Sequence, residues 1–506
     1  MKDRVSLTDF LMYHKETHPI SFHMPGHKGR STLYGIYGFG DFVKNVVGND
    51  ITEIPGADAL QQPRERIKDI MEGYAGLYGA KHTELLVNGS SAGLMASILG
   101  SVPRGGKLLM GRNSHKSVYG ALRLGGIDPV YIMPEIDGET GLQLGLDPDK
   151  IAAALIEDGD IKAVLVTSPN YYGVLSDIER IASIVHLHGR ILIVDQAHGA
   201  HLKFFDYLRS EDGLPHRAAE NCGADIVVDS THKTLLSLTG SAILNICTER
   251  PDVSRISELL RMLQTTSPSY LLMGSLDINQ QILRMDGYNL IKNWYADIKY
   301  FYKEAASIDG LGLIDRTDLD ETKVSLTMTA LGLSGPELAK ELERRNIWVE
   351  LTHGGYVMLM TGIGNERGDY EDILAALRDL SEQYSGRLSE AGQAYPEAQN
   401  QTIEPAAENS VPTQSASDSA LIERLEQRRI PDTYEEIPLY SAEGRVLYES
   451  IIPYPPGSPI ACPGEVLSKS VILYIRDQLV AQHVVLGVDE EGRVKVEPKC
   501  VLLKEV

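Results

Sequence analysis

Between residues 83 and 247 seven short apolar runs alternate with helix-like segments: "TELLVNG", "KLLMGR", "DPVYIM", "KAVLVTSP", "RILIVDQAHG", "ADIVVDST" and "GSAILNIC". Runs this continuous, rather than alternating with polar residues, predict strands buried on both faces, and so an α/β fold with a mostly parallel seven-stranded sheet. Most runs end in small or polar residues. Ligands of open α/β sheets collect beyond the carboxyl ends of the strands, so "NGSS", "GRNSHKS", "TSPNYYG", "DQAHGAH" and "DSTHKT" are candidates for one shared site.

Asp195 closes a fully apolar strand, where a carboxylate is costly unless it meets a cation or strong donors. Alone, it could equally cap the following turn. Thirty-eight residues later a second apolar run leads to Lys233. An Asp strand followed by a Lys strand suits a pyridoxal phosphate enzyme. Such an enzyme needs a carboxylate to keep the pyridine nitrogen protonated and a lysine to hold the aldehyde as a Schiff base. Three other His-Lys pairs compete. Lys15 lies in a helix-like N-terminal segment, Lys28 in the Gly-flanked loop "MPGHKGR", and Lys116 ahead of the Asp strand. Lys233 alone follows both, so it is the expected cofactor lysine.

The same cofactor needs a phosphate cradle and a flat group against its ring. "TELLVNGSSAGLMASILG" reads as strand, turn and helix, so Gly89, Ser90 and Ser91 could bring N–H groups and hydroxyls to a phosphate at a helix N-terminus. Such turns also simply cap helices. Ser230 and His232 stand beside Lys233 and could add phosphate contacts. "KLLMGRNSHKSVYGAL" places His115 just past a strand, where an imidazole can lie on the pyridine face; capping or solvated histidines are the common alternative.

The charge balance narrows the partners. Seventy acidic against 48 basic residues give a net charge of −22, which repels nucleic acid and anionic membranes and attracts a small cation. Four cysteines at 222, 247, 462 and 500 lack the spacing of a zinc or redox motif, so reduced thiols and no metal are expected. No run of about 18 residues is apolar throughout, which predicts a cytoplasmic protein. Beyond an N-terminal segment (1–50) and a large cofactor-binding domain (51–300), the pattern predicts a smaller α+β domain (301–385), a flexible linker (386–420) rich in Ala, Ser, Gln, Glu and Pro, and a C-terminal α+β domain (421–506).

At these residues the chain resembles the prokaryotic ornithine, lysine and arginine decarboxylases, pyridoxal phosphate enzymes of the aspartate-aminotransferase fold type I. The resemblance runs from "FHMPGHKG" through "DITEIPGADAL", "RNSHKSVYGAL", "TSPNYYGVLSDI", "VDQAHGAHLKF" and "DSTHKTLLSLTG" to "PYPPGSPIACPGE". It implies that Lys233 binds the cofactor, that Asp195 pairs with its ring nitrogen and that His115 stacks on the ring. Ser90, Ser91, Ser230 and His232 would hold the phosphate, and His198 would lie near the reacting carbon. It also implies decarboxylation of a basic L-amino acid in polyamine biosynthesis, with arginine first, lysine second and ornithine third. A homodimer or higher homo-oligomer follows too, "QTTSPSYLLMGSLD" (264–277) resembling the segment that reaches a neighbouring site. The early position of "SFHMPGHKG" resembles the short form, without a receiver-like N-terminal domain.

Some positions depart from the family pattern. Gln196 replaces the acidic residue after the strand Asp, "NGSSAG" replaces the commoner Gly-Ser-Thr-x-Gly, and "LQQPRERI" lacks the His and Gly usual after "PGAD". None removes a cofactor-bonding group; the last leaves the choice of amino acid open. Transamination or β-elimination would use the same Asp and Lys, and a non-catalytic, decarboxylase-like regulatory protein is the alternative outside enzymes. In "IPYPPGSPIACPGE" (452–465) five prolines and two glycines predict a stiff turn rather than a strand. Glu465 follows it, and is the expected counter-charge for the substrate's distal cation.

Overall fold

The computed structural model describes residues 6–387, 425–426, 428–454, 459–480 and 484–499. The expected linker falls, from residue 388 on, outside the described residues. Strand β1 (Ile20–Phe22) belongs to the N-terminal segment. The seven apolar runs form β2 (His82–Leu86), β3 (Lys107–Gly111), β4 (Asp128–Ile132), β5 (Ile161–Thr167), β6 (Ile191–Asp195), β7 (Ile226–Asp229) and β8 (Ala242–Ile246). They make one sheet in the order β2-β8-β7-β6-β5-β3-β4, in which β8 alone runs against its neighbours. The runs are continuously apolar because both faces are covered. Ala163 and Leu165 of β5, Ile193 of β6 and Val228 of β7 enter one core, while Val164, Val166, Leu192, Val194 and Val227 enter the other.

Six parallel strands therefore deliver their carboxyl ends, and the loops that follow, to one edge of the sheet. A helix of 36 residues, Tyr270–Ala305, carries the chain onward with a kink at Asp286. It runs straight through the boundary expected at residue 300, because helical periodicity carries no mark of where one core ends and the next begins.

Next come β9 (Gly312–Leu313), β10 (Lys323–Thr327), β11 (Ile347–Val349), β12 (Leu351–His353) and β13 (Tyr356–Met360). Four of these form a sheet in the order β12-β13-β10-β9, while β11 pairs in parallel with β1 and so fastens the N-terminal segment to this part of the chain. The C-terminal unit contains β14 (Glu435–Pro438), β15 (Ile452–Tyr454), β16 (Val484–Leu486) and β17 (Arg493–Val496), with the helix Lys469–Val480. Here the expected turn is corrected: Ile452–Tyr454 is a strand, paired with β16. Its sheet has two strands, so Pro453 needs no donor on its outer side, and an edge position tolerates proline. Residues 455–458 lie outside the described residues. No helix among the described residues is long and apolar enough to cross a membrane.

Candidate active site

Asp195 is the last residue of β6 and is 3% exposed. Its Oδ1 accepts a 3.2 Å hydrogen bond from the Ala197 N–H. Burial raises its pKa, while the charge of Lys233 opposes the rise. Lys233 sits in a one-turn helix, Thr231–Thr234, directly after β7. Burial lowers its pKa to about 8 against the attraction of Asp195 and Glu350. The two side chains thus share one field, although no hydrogen bond joins them among the described residues.

The lysine turn is held from several directions. The Gly26 N–H donates to His232 O (2.8 Å) and the Ile363 N–H to Thr234 O (2.9 Å). Gly26 belongs to the "HMPGHKG" loop, and a Cβ built on it would stand 2.3 Å from the carbonyl carbon of Thr234. Only glycine permits so close a backbone approach. His232 is anchored by a 2.7 Å contact from Nδ1 to Ser241 O, and burial lowers its pKa to about 4.

The expected phosphate groups lie around this turn. Gly89 opens the helix Gly89–Ser101 with φ +70°, and no side chain caps that N-terminus. Ser90 and Ser91 occupy its first turn. A Cβ at Gly89 would be 3.8 Å from Gly240 O, next to the Ser241 that holds His232. Ser230 Oγ is buried without a hydrogen-bond partner. An orphaned hydroxyl in the lysine turn and an uncapped helix N-terminus are each features that fit an anionic ligand.

His115 caps the helix Lys116–Gly125, and its Nδ1 accepts from the Ser117 N–H at 3.2 Å. That bond leaves the ring proton on Nε2. Burial, then Lys233, lowers its pKa to about 4, so the ring is neutral. His198 is buried as well. Burial followed by the charges of Lys233 and Lys323 holds its pKa well below the ordinary range, and Nδ1 has no partner. Its ring meets Tyr171 edge-on at 4.9 Å between centroids. The structure therefore gathers Asp195, Lys233, His115 and His198 into one electrostatic neighbourhood.

Several members of that neighbourhood were missed in sequence. Lys323 of β10 is fully buried, and its Nζ donates to His198 O, Asp320 Oδ2 and Thr322 Oγ1, each at 3.2 Å. Burial would raise Asp320, but His201 and Lys323 overcome it and hold the carboxyl far below its usual range. His201 bridges Asp320 (3.0 Å) and Thr234 Oγ1 (3.2 Å), so this chain of polar groups ties β10 to the lysine turn. A lysine opening an apolar strand was the available signal. Glu350 accepts from the Met24 N–H (2.9 Å) and from Tyr171 OH (3.1 Å). Lys28 lies nearby, its pKa lowered to about 7 chiefly by burial. Its Nζ is engaged by His23 O (2.6 Å) and Met360 O (2.8 Å), which leaves Lys233 the better placed to react. Lys116 is exposed at the start of its helix.

The expected role of Glu465 is corrected. Its Oε1 accepts from Arg112 Nε at 3.0 Å, and its Oε2 accepts from Arg112 Nη2 at 2.8 Å and the Cys462 N–H at 2.7 Å. At 2% exposure, with both oxygens already paired to the Arg112 guanidinium, it is not placed to meet a substrate cation. Proximity to a stiff loop signals a fixed carboxylate; it does not say what the carboxylate is fixed against.

This arrangement is the fold of type I pyridoxal phosphate enzymes. The constitutive lysine decarboxylase of Escherichia coli superposes with a TM-score of 0.70 at 21% identity, over 97% of this chain and 81% of that one. A Burkholderia pseudomallei sphingosine-1-phosphate lyase gives 0.56 at 15% identity, over 77% and 92%. The chain belongs to the ornithine/lysine/arginine decarboxylase family: residues 5–325 match the "Orn/Lys/Arg decarboxylase, major domain" and residues 408–489 the "Orn/Lys/Arg decarboxylase, C-terminal domain". The arginine decarboxylase of Bacillus anthracis is 31% identical over 95% of this chain and 94% of that one. That of Bacillus subtilis (strain 168) is also 31% identical, over the same shares.

Proposed function

We propose that this member of the family decarboxylates arginine in preference to lysine, and lysine in preference to ornithine, with pyridoxal phosphate held on Lys233. The observation that carries the reading is the convergence of Lys233, Asp195 and two neutral histidines at the sheet edge, beside an orphaned Ser230 hydroxyl. The order of substrates is supported by the arginine decarboxylases that match nearly the whole chain.

The residues present fit the cofactor. Ser90, Ser91, Ser230, His232 and the N–H groups opening at Gly89 would hold its phosphate, His115 its ring and Asp195 its ring nitrogen. When bound, pyridoxal phosphate supplies an electron sink for the pair left behind as carbon dioxide departs. Lys233, with its pKa at about 8, has a reactive neutral fraction near neutral pH. Asp195, raised by burial, is returned to its ionised form by a neighbouring cation and then stabilises it. His115 is kept neutral and oriented by the Ser117 N–H. His198 or Lys233 holds the proton that replaces the carboxyl group on the substrate's α-carbon.

With Glu465 engaged elsewhere, Glu350 is the carboxylate best placed for the distal cation. It stands one tyrosine away from His198 and makes no ion pair among the described residues. A phenol spans roughly the ~6 Å between the α-carbon and guanidinium of an extended arginine. Glu350→Gln is expected to raise KM for arginine with little change in cofactor content. A homo-oligomer is supported by the helix Leu7–Glu16, which has no buried residue and exposes Leu7, Phe10, Leu11, Met12 and Tyr13. A cytoplasmic location completes the reading. The direct test is incubation with each basic amino acid and separation of the products. Carbon dioxide with agmatine is expected; a keto acid would establish transamination instead.

A further inference from the structure

Arg112 and Glu465 are 353 residues apart, and they meet in a buried, two-pronged ion pair. The arginine directly follows β3, three residues before His115. All five of its N–H donors are used. Nε and one Nη2 hydrogen go to Glu465, the other Nη2 hydrogen to Ile460 O (3.2 Å), and Nη1 to Pro459 O (2.9 Å) and Tyr119 OH (3.0 Å). Four of the five therefore end on residues 459–465 of the C-terminal unit. Tyr119 OH returns a bond to Arg112 O (2.5 Å), and Ser114, between Arg112 and His115, is fully buried with its hydroxyl on Gly111 O (2.7 Å). Cys462 leaves its own unit to pack in the large-domain core with Val118 and Tyr119, on the helix that His115 caps. The large domain holds the turn 112–115 through the Arg112 N–H on Ile132 O (2.9 Å) and Asn113 Nδ2 on Gln143 Oε1 (2.9 Å), while the C-terminal unit holds it through the Arg112 side chain.

We propose that Glu465 is a positioning residue: through Arg112, the C-terminal unit fixes the turn that presents His115 to the Lys233 site. A carboxylate serves better than an amide because it accepts both prongs of a guanidinium that has no other charge partner in this contact. The proposal rests on the reading of His115 as a cofactor-site residue, but its structural half can be tested without that reading.

The experiment is Glu465→Gln in the full-length protein, read in two ways. Hydrogen–deuterium exchange should quicken about tenfold or more in peptides covering 112–119, while peptides from β6 stay unchanged. Turnover of arginine should show kcat reduced roughly ten- to a hundredfold with KM within about twofold, as expected for a displaced ring that does not touch the substrate. The visible absorption of the bound cofactor should shift as the group against its ring moves. Should Glu465→Gln fail to fold, Arg112→Lys, which keeps the charge and loses the fork, is expected to give the same signature. Unchanged exchange at 112–119 overturns the clamp. Quickened exchange with unchanged kcat and absorption overturns its link to His115, and a rise in KM alone places Glu465 at the substrate after all. If the wild type decarboxylates no basic amino acid, the functional reading fails, and exchange still decides the clamp.

Discussion

Two buried cation–carboxylate pairs in this protein have the same formal charges, and burial opposes the cation of each, yet only one of the two cations is held firmly charged. At the sheet edge, burial lowers Lys233 and raises Asp195, so both move toward neutrality. Between the large domain and the C-terminal unit, burial also works against the charge on Arg112, but Cys462, Tyr119 and Glu465 overcome it and hold the guanidinium well above its ordinary range. The difference lies in satisfaction. Arg112 spends every donor and Glu465 both oxygens, whereas Lys233 and Asp195 share only a field, with Ser230 Oγ and His198 Nδ1 unpaired around them. A completed polar network specifies structure; an incomplete one, surrounded by a well-packed core, is ready to receive a ligand.

The comparison breaks most readily at Lys233. Lys233→Ala should abolish the visible absorption of bound cofactor and lower kcat/KM by roughly 10⁴-fold or more, with thermal stability unimpaired, because the amine completes no network. Unaltered absorption would move the cofactor to Lys28 or Lys323, the other buried amines of this neighbourhood. Asp195→Asn should cost about 10²–10³-fold in kcat and weaken cofactor retention. Its single hydrogen bond, from Ala197, survives in the amide, so circular dichroism should be unchanged.

In the finished pair the loss is of stability. Glu465→Ala leaves Arg112 buried without its partner, and should lower the free energy of unfolding by about 3–5 kcal/mol, measured by urea denaturation. Replacing both residues by Met should recover most of that loss. A double variant no better than the single one would show that the charge itself, rather than its satisfaction, stabilises the contact. The smallest effect is in pH. Below about pH 8 the neutral, aldehyde-reactive fraction of Lys233 falls with pH, so cofactor uptake by the apo-protein should rise roughly tenfold per pH unit and level off above that value. Uptake independent of pH between 6 and 9 would contradict the lowered amine.

Much of this site was legible in the sequence because the strands are covered on both faces. An apolar run with no polar alternation has nowhere to put a charge except its end, so Asp195 and the turn bearing Lys233 stood out as strand ends. His115 and the Gly89–Ser91 turn were legible for the same reason. Lys323 was not, although it opens the apolar β10, because a lysine there reads as a solvated strand end until Asp320, Thr322 and His198 O are seen to enclose it. Glu350 gave no local signal at all. Its neighbours Met24 and Tyr171 come from segments 326 and 179 residues away.

The sequence by itself determined the order of strands and loops, which polar residues stand at the strand ends, and the family. These follow from local hydrophobic patterning and from motifs a few residues long. The tertiary structure alone decided which carboxylate meets which cation. Glu465 was recognisable as a carboxylate held by a rigid loop, but whether it faced a substrate or Arg112 depended on how two separately patterned units dock. Such long-range pairings leave no period in the chain, because the energy that selects them, desolvation balanced by a complete set of hydrogen bonds, exists only once the partners are enclosed together.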